Sequence, residues 1–380
     1  MKLIVLVGRE TNQILILLKA LSELERVCFF TTPEMKKTAA NLSIAVQLLY
    51  PDLAEKVETF YFPHNSYTAV KEKAKDLFAS DPGRWAGDLT GATKLMSLGL
   101  YEALREKDFP GFYVDSQAGL IWQLKGQELT PFISEFPEVP AEAIFAAKGY
   151  RMEQRVRPPV YNKRKLINFI LTNYPSWEVF STWMRSFNEH KVQEDLFLRK
   201  PIRDRKRNIR LDREQLEFCL QHLVQLELVS SYLFHPNSLD VVFSSKEIMD
   251  YLAHGWWLED CVYRQAKKSN TFFEVYQGVI LKKLDEEENF SSVNSRFEVD
   301  VLLNAKGQLT FISCKTGKFT KSDLAELEVL ASHTAGIFAR KLLVLSLEEE
   351  NLSDYLKQLF RDRGITVYYR SDLLRLSELL

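Results

Sequence analysis

Cysteine is scarce in this chain: four in 380 residues, at positions 28, 219, 261 and 314, with no CxxC spacing and no histidine in metal-ligand register. That excludes a disulfide-stapled scaffold and a zinc ribbon, and it leaves packed thiols of a reducing compartment. Glycine (15) and proline (13) are also sparse, which excludes collagen-like and low-complexity chains. Neither sign of charge dominates, since 50 Lys plus Arg face 51 Asp plus Glu for a net charge of −1. No global field draws in nucleic acid or a membrane, so a charged partner has to be recognised locally. Long apolar runs are missing too: stretches such as 3–7 and 14–18 are strand- or core-helix-sized, far below the roughly 18 residues of a membrane span. Lys2 leads through a short apolar run straight to Gly8, Arg9 and Glu10, too short a core for a secretion signal. The expectation is a cytoplasmic protein that makes no membrane contact. What is plentiful is hydrophobic (46%) and aromatic (12%) material. At about 150 residues per domain, the length implies two or three domains with separate cores.

Residues 1 to about 130 alternate short apolar runs with helical periodicity. Strands are expected at 3–7, 27–31, 57–62, 85–89 and 111–115, and helices at 14–24, 36–49, 67–78 and 93–104. Repeated strand–helix units imply a parallel sheet covered on both faces, hence a Rossmann-like domain over 1–145 whose ligand sits at the carboxyl ends of the strands. Residues 148–165 are rich in Lys and Arg around Pro158-Pro159 and read as a linker. Helices near 166–171 and 212–228 followed by a hairpin at 229–243 suggest a small winged-helix-like insert within 146–244. Within it, Arg199 to Arg213 holds eight basic residues and two acids, read either as a nucleic-acid contact or as a solvated loop. Residues 245–380 then give helix (245–268), strand (272–282), an acidic turn (285–295), strands (296–303, 309–315), helix (321–333), strand (341–346), helix (352–363) and strand (365–369), an α/β domain with a mixed sheet.

Two constellations carry chemistry. In Phe297-Glu298-Val299-Asp300-Val301, strand alternation places Val299 and Val301 on one face and Glu298 with Asp300 on the other. Hairpin pairing with the strand ending Ser313-Cys314-Lys315 brings an amine beside these acids, and Glu259 on the preceding helix extends the set. Carboxylates suit Mg²⁺ or Mn²⁺, which polarise a scissile phosphate, and a lysine orients water or neutralises developing charge. The bland alternative is a solvated strand face with an ordinary ion pair. The second constellation is Gly87-Asp88-Leu89-Thr90-Gly91-Ala92-Thr93-Lys94, where a strand opens into a helix. Thr90, Gly91, Ala92, Thr93 and Lys94 offer backbone N–H groups, hydroxyls and a cation to an anion. The alternative there is plain N-capping by Thr90. Trp256 and Trp257 are expected to pack against the sheet, the six histidines form no triad, and Cys314 points away from Lys315 as a core thiol.

Helix with Glu259, strand with Glu298 and Asp300, strand with Lys315, then helix resembles the PD-(D/E)XK restriction-endonuclease-like core throughout 246–380. One position departs: Ser313 stands where the family has its second acid, which makes Glu298 or Glu259 the substitute carboxylate. The Asp88 to Met96 stretch, placed after the fourth strand, resembles the D/N-L-T-G-G/A-T-K-x-M signature of CARF domains, the CRISPR-associated Rossmann-fold sensors of cyclic oligoadenylate. The turn Gly8-Arg9-Glu10-Thr11-Asn12-Gln13 and Thr31 fit the same family's ligand-facing loops. Together the chain resembles the single-CARF ancillary nucleases of type III CRISPR systems. The resemblance implies a homodimer whose two-fold axis matches a cyclic tetra-adenylate ring, bound by Gly8 to Gln13, Thr31 and Thr90 to Lys94. It also implies cleavage of DNA or RNA by Asp300, Glu298, Glu259 and Lys315 with Mn²⁺ or Mg²⁺, the three acids holding the metal. The competing expectation is a ligand-responsive nucleic-acid-binding regulator with a degenerate nuclease fold.

Overall fold

The computed structural model describes the chain apart from residues 65, 156–159, 186–195, 205–208, 285–295, 318–319 and 337. The expected acidic turn at 285–295, Pro158-Pro159 and the centre of the basic run therefore lie outside the described residues.

The first domain is built from β1 (Lys2–Leu6), α1 (Asn12–Ala20), β2 (Arg26–Thr31), α2 (Lys36–Leu49), β3 (Val57–Tyr61), α3 (Tyr67–Ser80), β4 (Trp85–Asp88), α4 (Lys94–Glu106), β5 (Gly111–Asp115), β6 (Leu120–Lys125) and β7 (Glu128–Ile133). These strands form one sheet in the order β3-β2-β1-β4-β5-β6-β7, parallel as far as β5 and finished by an antiparallel pair. Strand β1 is apolar on both faces because both are covered: Leu3 and Val5 join one core with α1, and Ile4 and Leu6 join another with α4. Chain order reverses between β1 and β4, so the helices that follow them leave on opposite faces and a crevice opens between their carboxyl ends.

After the sheet come α5 (Ala141–Ala147) and β8 (Tyr150–Gln154). Here the sequence misleads. Residues 150–154, read as linker, are instead the edge strand of the second large sheet, paired antiparallel to β14 (Glu274–Lys283). Their charges suit an edge: Glu153 pairs with Lys282 (2.8 Å) and with Arg151 (2.8 Å), side chains that guard against further strand addition. Helix α5 is buried except at Glu142 and fuses the two ends of the molecule. A single core runs from β1, α1 and α2 through Ile144 and Phe145 to Phe311 of the second sheet.

The middle of the chain carries α6 (Lys163–Thr172), α7 (Tyr174–Arg185), β9 (Phe197–Pro201), the two-residue strands β10 (Arg203–Asp204) and β11 (Ile209–Arg210), α8 (Arg213–Gln225), β12 (Val229–Phe234) and β13 (Ser238–Phe243). The last two form a hairpin that β9 extends to three strands. Part of the basic run is thus sheet, not loop. Lys200 lies buried, its Nζ donating to the Met184 carbonyl (3.2 Å) over the Trp183 ring, and burial lowers its pKa to about 6. Arg199 forks onto Asp240 at 2.7 and 2.6 Å.

The expected helix at 245–268 is two helices, α9 (Lys246–His254) and α10 (Trp256–Ser269). Gly255 divides them at φ +71°, where a Cβ would strike the Thr316 side chain. Strand β14, β15 (Arg296–Ala305), β16 (Gln308–Lys315), α11 (Lys321–Ala335), β17 (Arg340–Leu345), α12 (Asp354–Asp362), β18 (Ile365–Tyr368) and α13 (Leu376–Leu379) complete the fold. The sheet order is β18-β17-β16-β15-β14-β8, with α11 packed in the core shared with the first domain and α10 in the core shared with the middle helices.

Candidate functional sites

The first site is the crevice between β1 and β4. Two glycines let its loops touch. A Cβ on Gly91 would overlap the Leu6 carbonyl oxygen, and one on Gly8 would lie 3.0 Å from the Ala92 nitrogen. Ala92 itself adopts φ +60°. The expected cap is displaced: Thr93, not Thr90, caps α4, accepting from Met96 N–H (3.3 Å) while its hydroxyl donates to the His64 carbonyl (3.1 Å). Thr90 braces the loop instead, its Oγ1 accepting from Val114 N–H (2.9 Å) and its N–H donating to Asp88 (2.9 Å). Burial pushes the Asp88 carboxyl up to about 6.

The expected ligand residues divide into two groups here. Arg9 and Lys94 are exposed, and Gly8, Glu10, Gln13, Thr90, Gly91, Ala92 and Thr93 are partly so. Thr11, Asn12 and Thr31 are buried, the last donating to the Val7 carbonyl (3.4 Å). Asn12 faces the second domain: its amide donates to the carbonyl of Ala335, the last residue of α11, at 3.1 Å. Glu10 reaches the same helix end, its Oε2 lying 2.6 Å from where a Gly336 Cβ would be. Lys148 locks the pair, donating to the Arg9 carbonyl (3.0 Å) with Glu10 3.7 Å away, and burial lowers its pKa.

The second site lies where β15 and β16 part. Their ladder ends at Val301 opposite Ile312. Beyond it the Asp300 carboxylate takes the place of a backbone acceptor, receiving Cys314 N–H at 2.7 Å and the Ser313 hydroxyl at 3.4 Å. The expected alternation breaks at this point: Val299 packs into the core shared with the first domain and Val301 into the other. The neighbouring strand carries Gly278 at φ +64° beside the same gap in pairing. Glu298 is drawn off to Arg155 (2.7 Å). Glu259 stands buried in the first turn of α10, and together with Asp300 it adds to the burial that pushes the Cys314 thiol well up, leaving that sulfur inert.

Lys315 bonds Asp323 of α11 at 2.9 Å. Burial opposes its charge, but the Asp323 bond and the charges of Asp300, Asp323 and Glu326 win, so its pKa is raised. Asp323 escapes the sequence reading as a partner of Lys315, although Thr320-Lys321-Ser322-Asp323 is a capping-box pattern and the box forms. Among the described residues no group of three or more His, Cys, Asp or Glu is arranged to hold a metal. The donors that do meet, the Asp300 carboxylate and the Ser313 hydroxyl, are both hard oxygen. They fit a Mg²⁺-type ion that keeps water and phosphate oxygens as its remaining ligands, rather than a closed protein cage. Trp257 is buried as expected; Trp256 is half-buried, stacked on His254 (5.2 Å) with the Arg155 guanidinium 5.4 Å from its ring centre. No helix among the described residues is long and apolar enough to cross a membrane.

Across its whole length the chain is similar in fold to protein VC1899 from Vibrio cholerae, with a TM-score of 0.76, 16% identity, and 100% of this chain and 96% of that one covered. It is also similar to Can2 from Sulfobacillus thermosulfidooxidans, whose structure is in complex with cyclic tetra-adenylate, at TM-score 0.74 and 17% identity over 99% of this chain and 97% of that one. A type III CRISPR defence DNA nuclease activated by cyclic oligoadenylate shares the fold more loosely, with TM-score 0.53 and 18% identity over 91% of this chain and 45% of that one. No curated protein sequence matches significantly. Residues 3–125 match the family model of the Card1 CARF domain.

Proposed function

We propose that the chain is a nuclease of type III CRISPR defence, gated by cyclic tetra-adenylate and dependent on a divalent metal. The observation that carries this reading is helix α11. Its C-terminal end bonds Asn12 of the crevice loop and its N-terminal end bonds Lys315. Fifteen residues at 1.5 Å each make a stiff rod of about 22 Å between sensor and chemistry. A ligand that moves the 8–13 loop therefore moves the helix that sets the amine, and its effect equals its differential affinity for the two arrangements.

In the crevice, Arg9, Lys94 and the backbone N–H groups at the start of α4 bind the ring phosphates. Leu95 and Leu98, exposed near the start of α4, supply an apolar surface through which a second copy completes a two-fold ring site. In the second domain, Asp300 and Glu259 would hold Mg²⁺ or Mn²⁺ with the Ser313 hydroxyl. Glu298 acts at one remove by fixing Arg155. The bound ion supplies Lewis-acid polarisation of the phosphodiester. Lys315, kept protonated by Asp323, stabilises the charge that develops on the phosphoryl oxygens and orients the attacking water.

One observation favours a second reading, a ligand-responsive nucleic-acid-binding regulator: the described residues assemble no three-ligand metal cluster. Supercoiled plasmid, single-stranded DNA and single-stranded RNA, each with and without cyclic tetra-adenylate in Mn²⁺, Mg²⁺ or EDTA, separate the two. Cleavage that needs both ring and metal is expected. Intact nucleic acid shifted on the gel would transfer the assignment to the regulator.

A further inference from the structure

A cavity of about 200 Å³ opens beside the second site, lined by Gln154, Arg155, Lys163, Tyr263 and Gln277. Every lining side chain brings a hydrogen-bond donor and none is a carboxylate. Acids stand behind the cations instead. Arg155 spends one Nη1–H on Glu298 (2.7 Å) and sets its guanidinium carbon over the Trp256 ring, and Lys163 meets Asp260 at 3.0 Å over the Tyr251 ring. A guanidinium has five N–H donors and an ammonium three, so both retain donors for the cavity while their counter-charges hold them in place. The Gln277 amide nitrogen is buried with no hydrogen-bond partner among the described residues. A dry donor beside two cations calls for an oxyanion.

The position of the cavity says which one. Gln277 precedes Gly278, whose carbonyl accepts from Arg155 N–H (2.7 Å) and which sits at the pairing gap beside Asp300. We infer that this cavity is a subsite for a backbone phosphate of the nucleic-acid strand, adjoining the phosphate placed at Asp300 and Lys315. The inference rests on the nuclease reading, but its test needs no cleavage.

Fluorescence anisotropy of labelled single-stranded DNA and RNA oligonucleotides is measured in EDTA, with and without cyclic tetra-adenylate, with inorganic phosphate as competitor. Gln154→Glu and Gln277→Glu place an acid on the wall without removing an ion pair, Gln154→Lys adds a cation, and Gln47→Glu, exposed on α2, makes the same charge change far away. Each acidic wall variant is expected to weaken oligonucleotide binding about tenfold and to reduce the salt slope by about one, with Gln154→Lys acting oppositely and Gln47→Glu inert. Should Gln277→Glu unfold, the exposed Gln154 pair carries the test. Binding that ignores both signs at Gln154 overturns the subsite. Displacement by millimolar phosphate as effective as by unlabelled strand assigns the cavity to free phosphate and overturns the strand. A wild-type protein that binds no oligonucleotide even with cyclic tetra-adenylate added refutes the nuclease reading itself.

Discussion

The crevice of the first domain and the parted strands of the second are built by opposite means. In the crevice the backbone does the work: Gly8 and Gly91 let two loops touch, Thr90 and Thr93 brace them, and Arg9 and Lys94 stand exposed beside the turn. At the second site the side chains do it, and each is already engaged: Asp300 with the backbone of β16, Glu298 with Arg155, Lys315 with Asp323. A preformed backbone cradle binds with little rearrangement. A set of committed side chains has to be released or re-aimed, which is what makes it suited to control from elsewhere.

The sharpest way to break the comparison is Lys315→Ala. Cleavage is expected to fall by about 10³-fold, the scale of losing one transition-state charge partner, with ring affinity unchanged by calorimetry. Retained turnover would remove this residue from the chemistry. Next comes Gly91→Ala, whose new methyl must displace the β1 carbonyl; a loss of about 3 kcal/mol by denaturant titration is expected, together with loss of ring binding. A neutral outcome would show the loop contact to be slack.

Asp88→Asn tests burial in the crevice with the opposite sign. The folded carboxyl, at about 6 against 3.8 ordinarily, holds its proton more tightly than the unfolded one, so wild-type stability falls as pH rises between those values and is flat above. The amide keeps the acceptor for Thr90 N–H, and a gain of about 2 kcal/mol is expected at pH 7, vanishing below pH 4. A melting temperature that does not rise at pH 7 would contradict the burial argument. The smallest effect expected is that of Asn12→Ala: ring affinity within about threefold, activation reduced by about tenfold, and loss of the ring-induced change in amide exchange across residues 321–335. If affinity and activation fell together, Asn12 would be a ligand contact and α11 no transmitter.

Much of the fold is legible in the residues. Helix α2 and strand β5 fall where periodicity puts them, because each has one unambiguous pattern and clear punctuation. Strand β8 is not legible: its Arg151 and Glu153 read as linker until a neighbouring strand makes them an edge. The break at Gly255 is marked only by one glycine, and the side chain that leaves no room for a Cβ there, Thr316, lies far along the chain.

The same division holds for the sites. Local order alone determined the strand–helix alternation of the first domain, the place of a glycine and hydroxyl turn after its fourth strand, and an acid-bearing strand followed by one ending in lysine, since these depend on neighbours in the chain. Only the tertiary structure decided which side chains face inward, that Asn12 and Glu10 lean on the end of α11, that Lys315 bonds Asp323, and that Val299 and Val301 part company across the sheet. Those outcomes follow from contacts between segments distant in sequence, where burial and the pairing of every buried polar group, not local preference, set the direction of a side chain.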